Sequence, residues 1–389
     1  MTVLRAADLF CGAGGSSTGL QRVADALGAR LDLTAVNHWP EAVETHAANH
    51  PDARHVCEPI DSVVPRRVTG GDLDLLWASP SCTNHSHAKG DKAIDDEDRA
   101  TAWAVIRWAE VTRAAWVIVE NVPAFLDWGP LGRNGRRSVA LRGQVFRAWL
   151  AALGAIGYTL DYRILNSADY GAATARPRLF VVGRFDGARA RGPIPWPVQT
   201  HAEPGTAPLL ADIAPWRGAR EVIDWSIPGR SIYDRPVPLA EKTMRRIAEG
   251  VRRFGGRPFV LGQQSGSVPR LVTDPLPTIA TKGAISLVQP FLIAYYGSGA
   301  NVSPVSAPLR TITTRDRFGL VRAEGGDLTL RMLRLHELAA AMGFPSDYRF
   351  SGTATDAKAM VGNAVEVNQA AALWRHPVEH VLGIDRKAA

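Results

Sequence analysis

Up to about residue 185 the chain alternates short, nearly unbroken apolar runs with longer amphipathic stretches. The runs Arg5–Phe10, Leu33–Asn37, Leu73–Ala78, Trp116–Glu120, Leu160–Leu165 and Leu179–Gly183 read as strands, and Ser17–Leu27 reads as a helix. Strands that are apolar at almost every position, separated by helices, predict a parallel sheet buried on both faces in an α/β fold. Near residue 186 the pattern changes. RGPIPWPVQT and EPGTAPLLADIAP open a proline-punctuated region with few helical periods, which continues to about 330. LRMLRLHELAAAMGF then predicts a helix, and a second begins near Asn363. The expected organisation is a discontinuous domain, 1–185 with 331–389, carrying a smaller β-rich domain at 186–330.

The inserted region repeats itself. DPLPTIATKGAISLV (274–288) matches APLRTITTRDRFGLV (307–321) at an offset of 33. PFVLGQQSGS (258–267) matches PFLIAYYGSG (290–299) at an offset of 32. Two units, 258–288 and 290–321, are therefore expected, each a strand, a Gly/Ser/Pro loop and a Thr/Ile-rich strand. Two copies are too few for a solenoid. They read as duplicated scaffold, or as two loops facing successive parts of one target.

Composition narrows the function. The 389 residues suffice for two domains with full cores. No apolar run approaches the roughly 18 residues of a membrane helix. MTVLRAADLF enters a strand directly, without the layout of a signal peptide, which points to the cytoplasm. Cys11, Cys57 and Cys82 form neither a C-x-x-C pair nor an even framework, so neither disulfides nor a zinc site is suggested. His85 and His87, just after Cys82, lack zinc spacing and a fourth ligand, so no metal is expected. Net charge is +7, and residues 186–330 hold 18 Lys and Arg against 12 Asp and Glu, nearly all of the excess. Basic surface gathered in one region suits a polyanion, or is a solvated face.

Four strings carry chemistry. DLFCGAGG (8–15) puts a glycine turn between a strand and a helix, where the backbone approaches a ligand closely and the helix N-terminus favours negative charge. Such a turn by itself holds NAD, FAD, S-adenosylmethionine or nothing, although its spacing is not G-x-G-x-x-G. Phe10 is placed to stack on an adenine or to pack in the core. The next strand ends at His38-Trp39, where an acid often binds ribose hydroxyls. LLWASPSC presents the Cys82 thiol at a strand end; only its thiolate is a good nucleophile. Glu120 closes the strand of VIVENV, where an acid is costly to bury without a partner. Arg176 and Arg178, two apart in TARPR, share one side of an extended segment and suit a carbonyl oxygen, carboxylate or phosphate. The polar stretch 83–101 reads as a loop over the site. Arg245, Arg246, Arg252 and Arg253 recur at a spacing of seven on a helix around Glu241–Phe254, so phosphate contacts are expected there.

Together these strings resemble the cytosine-C5 DNA methyltransferases, over roughly 1–185 and 327–375. DLFCGAGG is similar to the family's first cofactor motif, SPSC to its nucleophile motif and ENV to its acid motif. Ser86, Arg99 and Thr101 match the loop after the nucleophile. TARPR resembles Q-x-R-x-R, LRMLRLHELAAAMGFP the penultimate motif, and VGNAV the last. The resemblance implies a Rossmann-like S-adenosylmethionine methyltransferase sheet with helices on both faces. It also implies that the 186–330 insert is the target-recognition domain. The implied catalytic residues are Cys82, Glu120, Arg176 and Arg178. Cofactor contacts fall on Asp8, Phe10, Gly12, Gly14, Gly15, His38, Trp39, Ile60, Asp61, Asn363 and Val365, and DNA contacts on Ser86 and Arg99 as well as the four helix arginines. Double-stranded DNA is the implied partner of a nucleoid-associated monomer, with a cognate restriction endonuclease as a further candidate. RNA (tRNA) cytosine methylation and DNA binding without methylation are the alternatives. Several positions depart from the family pattern: Ser81 replaces Pro before the cysteine, His38 the ribose-binding Glu, Thr174 the Gln and Arg334 the Thr. Pro59 stands near the usual adenine-contacting Asp, with Asp61 as a shifted substitute.

Overall fold

The computed structural model describes residues 2–81, 96–132, 138–187, 192–203, 206, 212–233, 235–254, 257–262, 267–279, 285–294, 302–304, 318–319 and 328–384. Its first half runs β1 (Val3–Leu9), α1 (Gly15–Ala26), β2 (Arg30–Asn37), α2 (Pro40–Asn49), β3 (Arg54–Cys57), α3 (Pro65–Thr69) and β4 (Leu75–Ala78). Then come α4 (Asp96–Thr112), β5 (Trp116–Asn121), α5 (Gln144–Ile156), β6 (Tyr158–Asn166) and β7 (Pro177–Phe185). These seven strands form one sheet in the order β3-β2-β1-β4-β5-β7-β6.

Alternation along each strand explains why both faces are covered. On one face Leu4, Ala6, Leu75, Trp77, Ile118 and Phe180 pack with α1 and with α9 (Val367–Val381), through Leu20, Val23, Leu373 and Trp374. On the other, Leu9, Leu76, Val117, Val119 and Val181 pack with α4 and α5, through Val105, Trp108, Phe146 and Trp149. Every residue of β5 is buried, as a central strand between two helical layers requires.

The second half contains β8 (His201–Ala202), β9 (Ala214–Pro215), β10 (Arg230–Ser231), α6 (Glu241–Phe254), β11 (Phe259–Gly262), β12 (Arg270–Leu271) and β13 (Ile285–Ala294). It continues with β14 (Val302–Pro304), β15 (Phe318–Gly319), β16 (Leu328–Met332), α7 (Leu335–Ala341), α8 (Ala354–Asn363) and α9. A separate antiparallel sheet orders β10-β16-β13-β11-β12, with β14 and β15 also on β13. The repeat reappears as register. Phe259↔Leu271 and Val260↔Arg270 in the first unit correspond to Phe291↔Pro304 and Leu292↔Ser303 in the second. Likewise Leu261↔Ser286 and Gly262↔Ile285 correspond to Ile293↔Gly319 and Ala294↔Phe318. Strand β13 belongs to both units, closing one and opening the next.

Three expectations are corrected. The sheet is mixed: β7 runs antiparallel to both β5 and β6, because β6 returns through a short connection and β7 inserts between β5 and β6. LRMLRLHELAAAMGF is a strand followed by a helix, since Leu330–Met332 pair with β13 and only Leu335 onward is helical. Residues 96–101 of the polar stretch read as a loop are instead the start of α4, while the helix expected near Asn363 is present as α9, which begins at Val367. The sequence pattern also missed β3, a half-exposed edge strand with no apolar run. No helix among the described residues is long and apolar enough to cross a membrane.

Candidate active site

The glycine turn is built on a strained backbone. After β1, Phe10 adopts φ 60°, unusual for a residue with a side chain, and Gly12 and Gly14 take φ 53° and 85°. Gly14 caps α1. Asp8 lies behind the turn, 2% exposed, where its Oδ2 accepts from the Ser16 hydroxyl and from Ser17 Oγ at 2.6 Å. Burial pushes its carboxyl up to about 6, against the pull of those hydroxyls. Ser17 Oγ also meets His46 Nε2 at 2.9 Å, and His46 Nδ1 meets His55 Nε2 at 2.8 Å. Because Ser17 donates to Asp8, its bond to His46 has the imidazole as donor, and His55 donates in turn to His46. The Tyr348 hydroxyl donates to Ala13 O. A polar stack of side chains thus supports the turn from beneath.

In front of the turn is a cavity of about 510 Å³. Phe10, Cys11, Gly12 and Ser16 form one wall, and Asn37, His38 and Trp39 at the end of β2 another. Pro59, Ile60 and Asp61 follow β3, while Met360 and Gly362–Val365 close the rim. Arg107 braces Asp61 and Ile60 by donating to their carbonyls at 3.2 and 2.6 Å. Of the sequence-predicted cofactor residues, Phe10, Gly12, His38, Trp39, Ile60, Asp61, Asn363 and Val365 line this space. Asp8, Gly14 and Gly15 do not. Asp8 holds the first turn of α1, Gly14 sits against His46 and Tyr348, and a Cβ on Gly15 would lie 2.1 Å from Val365 O. Those glycines serve close packing beneath the cavity.

The same cavity continues along Ser79, Pro80, Ser81 and Thr101 to Glu120, Val122, Arg176 and Arg178. Trp77 Nε1 donates to Ser79 Oγ at 2.9 Å, and Asn121 Nδ2 donates to Pro80 O at 3.1 Å. The first bond steadies the turn after β4, and the second ties that turn to the end of β5. Cys82 and Ser86 lie outside the described residues, as does the Arg99 side chain. Ser81, directly before Cys82, shares the cavity with Glu120. Glu120 has the partner that its burial demands: Arg178 Nε lies 3.1 Å from its Oε1. Arg176 points elsewhere. Only 2% exposed, it donates to Ile279 O, Gly362 O and Ala364 O at 3.2, 3.0 and 2.9 Å.

The family model of C-5 cytosine-specific DNA methylases matches residues 4–253 and 263–377. The chain belongs to this family. The type II methyltransferase M.Sau3AI of Staphylococcus aureus is 25% identical over 192 residues, 47% of this chain and 44% of that protein. The match therefore spans less than half the length of that relative. M1.HphI of Haemophilus parahaemolyticus, also a type II methyltransferase, is 25% identical over 364 residues, 92% of this chain and 82% of its own length. A solved structure of a Spodoptera frugiperda DNMT2 variant superposes with a TM-score of 0.59 at 16% identity, covering 97% of this chain and all of that one. That likeness concerns the fold.

Within the methylase framework, residues not anticipated from sequence stand out. Cys11, Ser16, Asn37 and Met360 line the cavity, although only their closeness to named motifs could have marked them. The His46–His55 support gave no signal, because its members come from different elements. Helix α6 forms as expected, yet Arg245 pairs with Glu241, and Arg252 pairs with Glu249 at 2.6 Å. The side chains of Arg246 and Arg253 lie outside the described residues.

Proposed function

We propose that the chain is a working DNA cytosine-C5 methyltransferase that uses S-adenosylmethionine, with 186–330 as its target-recognition region. One observation carries this reading. A single cavity joins the glycine turn and the ends of β2 and β3 to Ser81, Glu120 and Arg178. A donor molecule and an extruded base have room to meet there. The turn suits a nucleoside: a Cβ at Gly12 would meet only Phe10 O, at 3.9 Å, leaving the backbone open to a ligand, with aromatic Phe10 and Trp39 nearby. When bound, S-adenosylmethionine supplies the methyl group that ends on C5.

The chain's own groups do the rest. The target base leaves the duplex, since C5 and C6 cannot be reached in the stack. The Cys82 thiolate adds to C6 and converts C5 from a poor nucleophile into an enamine-like one. Glu120 binds the N3 and exocyclic-amine edge, and Arg178 holds Glu120 while facing O2. Loss of the C5 proton expels Cys82. Arg176 supports this arrangement from behind. The type II relatives make a cognate endonuclease the natural partner to seek, and the protein is taken to act as a monomer in the cytoplasm, near the nucleoid.

Incubation with labelled S-adenosylmethionine should place label on cytosine C5 of duplex DNA in preference to tRNA. Cys82→Ala should abolish turnover and retain DNA binding. Label on tRNA alone, or none on any DNA from folded protein, rejects the proposal.

A further inference from the structure

The inserted region is tied to the catalytic part at several places, among them Trp196 on Asp161, Thr200 and Trp216 on Asp169, and Arg217 on Gly171. One short seam among them leads directly to the acid–arginine pair. Leu276 N donates to Ala173 O at 2.8 Å, and Ala175 N donates to Leu276 O at 2.7 Å. The two segments run parallel at the bridge Thr174↔Leu276. Each side contributes a threonine. Fully buried Thr174 has its Oγ1 3.3 Å from both Leu276 O and Pro277 O, and Thr278 Oγ1 donates to Ala175 O at 3.0 Å. The next residue, Arg176, spans Ile279 of the insert and Gly362 and Ala364 of the cavity rim. Two residues further, Arg178 meets Glu120. The opposite edge of this strip is fixed by Asn166 Oδ1 accepting from Arg176 N at 2.9 Å and by Ser167 N donating to Arg176 O at 3.1 Å.

A displacement of the insert at this seam is therefore delivered to residues 173–178. A strip held on both edges transmits a shift along its length, and a misplacement of about 1 Å at reacting groups costs on the order of a hundredfold in rate. We propose that Thr174 is a positioning residue: it registers the insert against this strip, so that an insert seated on its target keeps Arg178 against Glu120 and Arg176 against the cofactor rim. This rests on the methyltransferase reading above and adds a residue to it. Thr174 occupies the position of a glutamine in the motif that TARPR resembles; here a short hydroxyl bonds directly to the insert's backbone.

The seam is tested with Thr174→Val, which keeps shape and removes the hydroxyl, and Thr174→Ser, which keeps the hydroxyl. Three quantities are read: single-turnover methyl transfer at saturating DNA, duplex affinity by fluorescence anisotropy, and S-adenosylmethionine affinity by calorimetry. T174V should slow transfer about tenfold and weaken cofactor binding severalfold, with duplex affinity within about twofold of the parent. T174S should recover the rate. Unchanged rate and cofactor affinity in T174V overturn the proposal. So does a rate loss matched by lost duplex affinity, or a T174S variant as slow as T174V. Should T174V fail to fold, Thr278→Val, on the facing side of the seam, carries the same expectations. If the parent protein methylates no nucleic acid, the methyltransferase reading falls and cofactor affinity alone judges the seam. Equal affinity in parent and T174V, including none in either, then overturns it.

Discussion

Glu120 is the last residue but one of a strand whose every residue is buried, and Arg178 is the reason the fold tolerates a carboxylate there. A charge kept out of water needs its counter-ion held in place, and β7 lies beside β5 to supply it. Gly15 shows the opposite constraint, where absence of a side chain is what matters. An added Cβ would press on the Val365 backbone at 2.1 Å, and neither α1 nor the loop before α9 can yield easily. Gly15→Ala should destabilise the protein by about 1–3 kcal/mol, the usual cost of overpacking, and weaken S-adenosylmethionine binding as the cavity rim moves. Gly154, inside α5 with nothing within 4 Å of its added Cβ, is the control. Gly154→Ala should stabilise by about 0.5–1 kcal/mol through helix propensity. Denaturant melts of both variants check the pair; equal effects would mean that the contact at Gly15 is not limiting.

Among the elements, α6 poses the sharpest question. Its arginines were expected to touch phosphates, and in the protein alone two of them pair with glutamates one turn away. Arg245 and Arg252 remain 73% and 74% exposed, and solvent screens such surface pairs so that they add little to stability. A phosphate therefore competes with the glutamates at small cost. Replacing both arginines with Gln should weaken binding to every DNA sequence alike and reduce the slope of log affinity against log salt by about 2, roughly one per lost phosphate contact. A titration of the double variant with an unchanged slope would make α6 an ordinary solvated helix. The insert's duplicated strands bear on the same scale. Matching registers in the two units show that one pairing scheme was used twice around the shared β13.

For the whole molecule, buried titratable groups set the response to pH. Burial pushes Glu366, at the start of α9, up to about 8, although backbone donors at Gln369 and Asn368 oppose it. Between about 4.5 and 8 the folded protein keeps a proton that the unfolded chain releases, so this contribution to stability falls as pH rises. Asp8 acts in the same sense between 3.8 and about 6. His50, pushed down to about 4 by burial, acts oppositely: it is neutral when folded and charged when unfolded, so its contribution rises with pH up to 6.5. Above pH 6.5, Glu366 alone of these three still titrates. Thermal midpoints should therefore decline from pH 6.5 to 8, and Glu366→Gln should flatten that decline; an identical slope in the variant would refute the assignment. The sequence by itself determined the strands β1, β2, β4 and β5, the turn at 10–15, the arginine strip and the insert's repeat, because hydrophobic period, glycine placement and internal similarity are local properties of a chain. Only the tertiary structure decided that β7 runs against β5 and so brings Arg178 to Glu120. It also decided that Arg176 faces backbone carbonyls, that Asp8 and Gly15 lie beneath the cavity, and that histidines from α2 and β3 brace the turn. Those facts depend on which distant segments share a buried space, and hydrogen bonds between them carry no periodicity that a linear reading can detect.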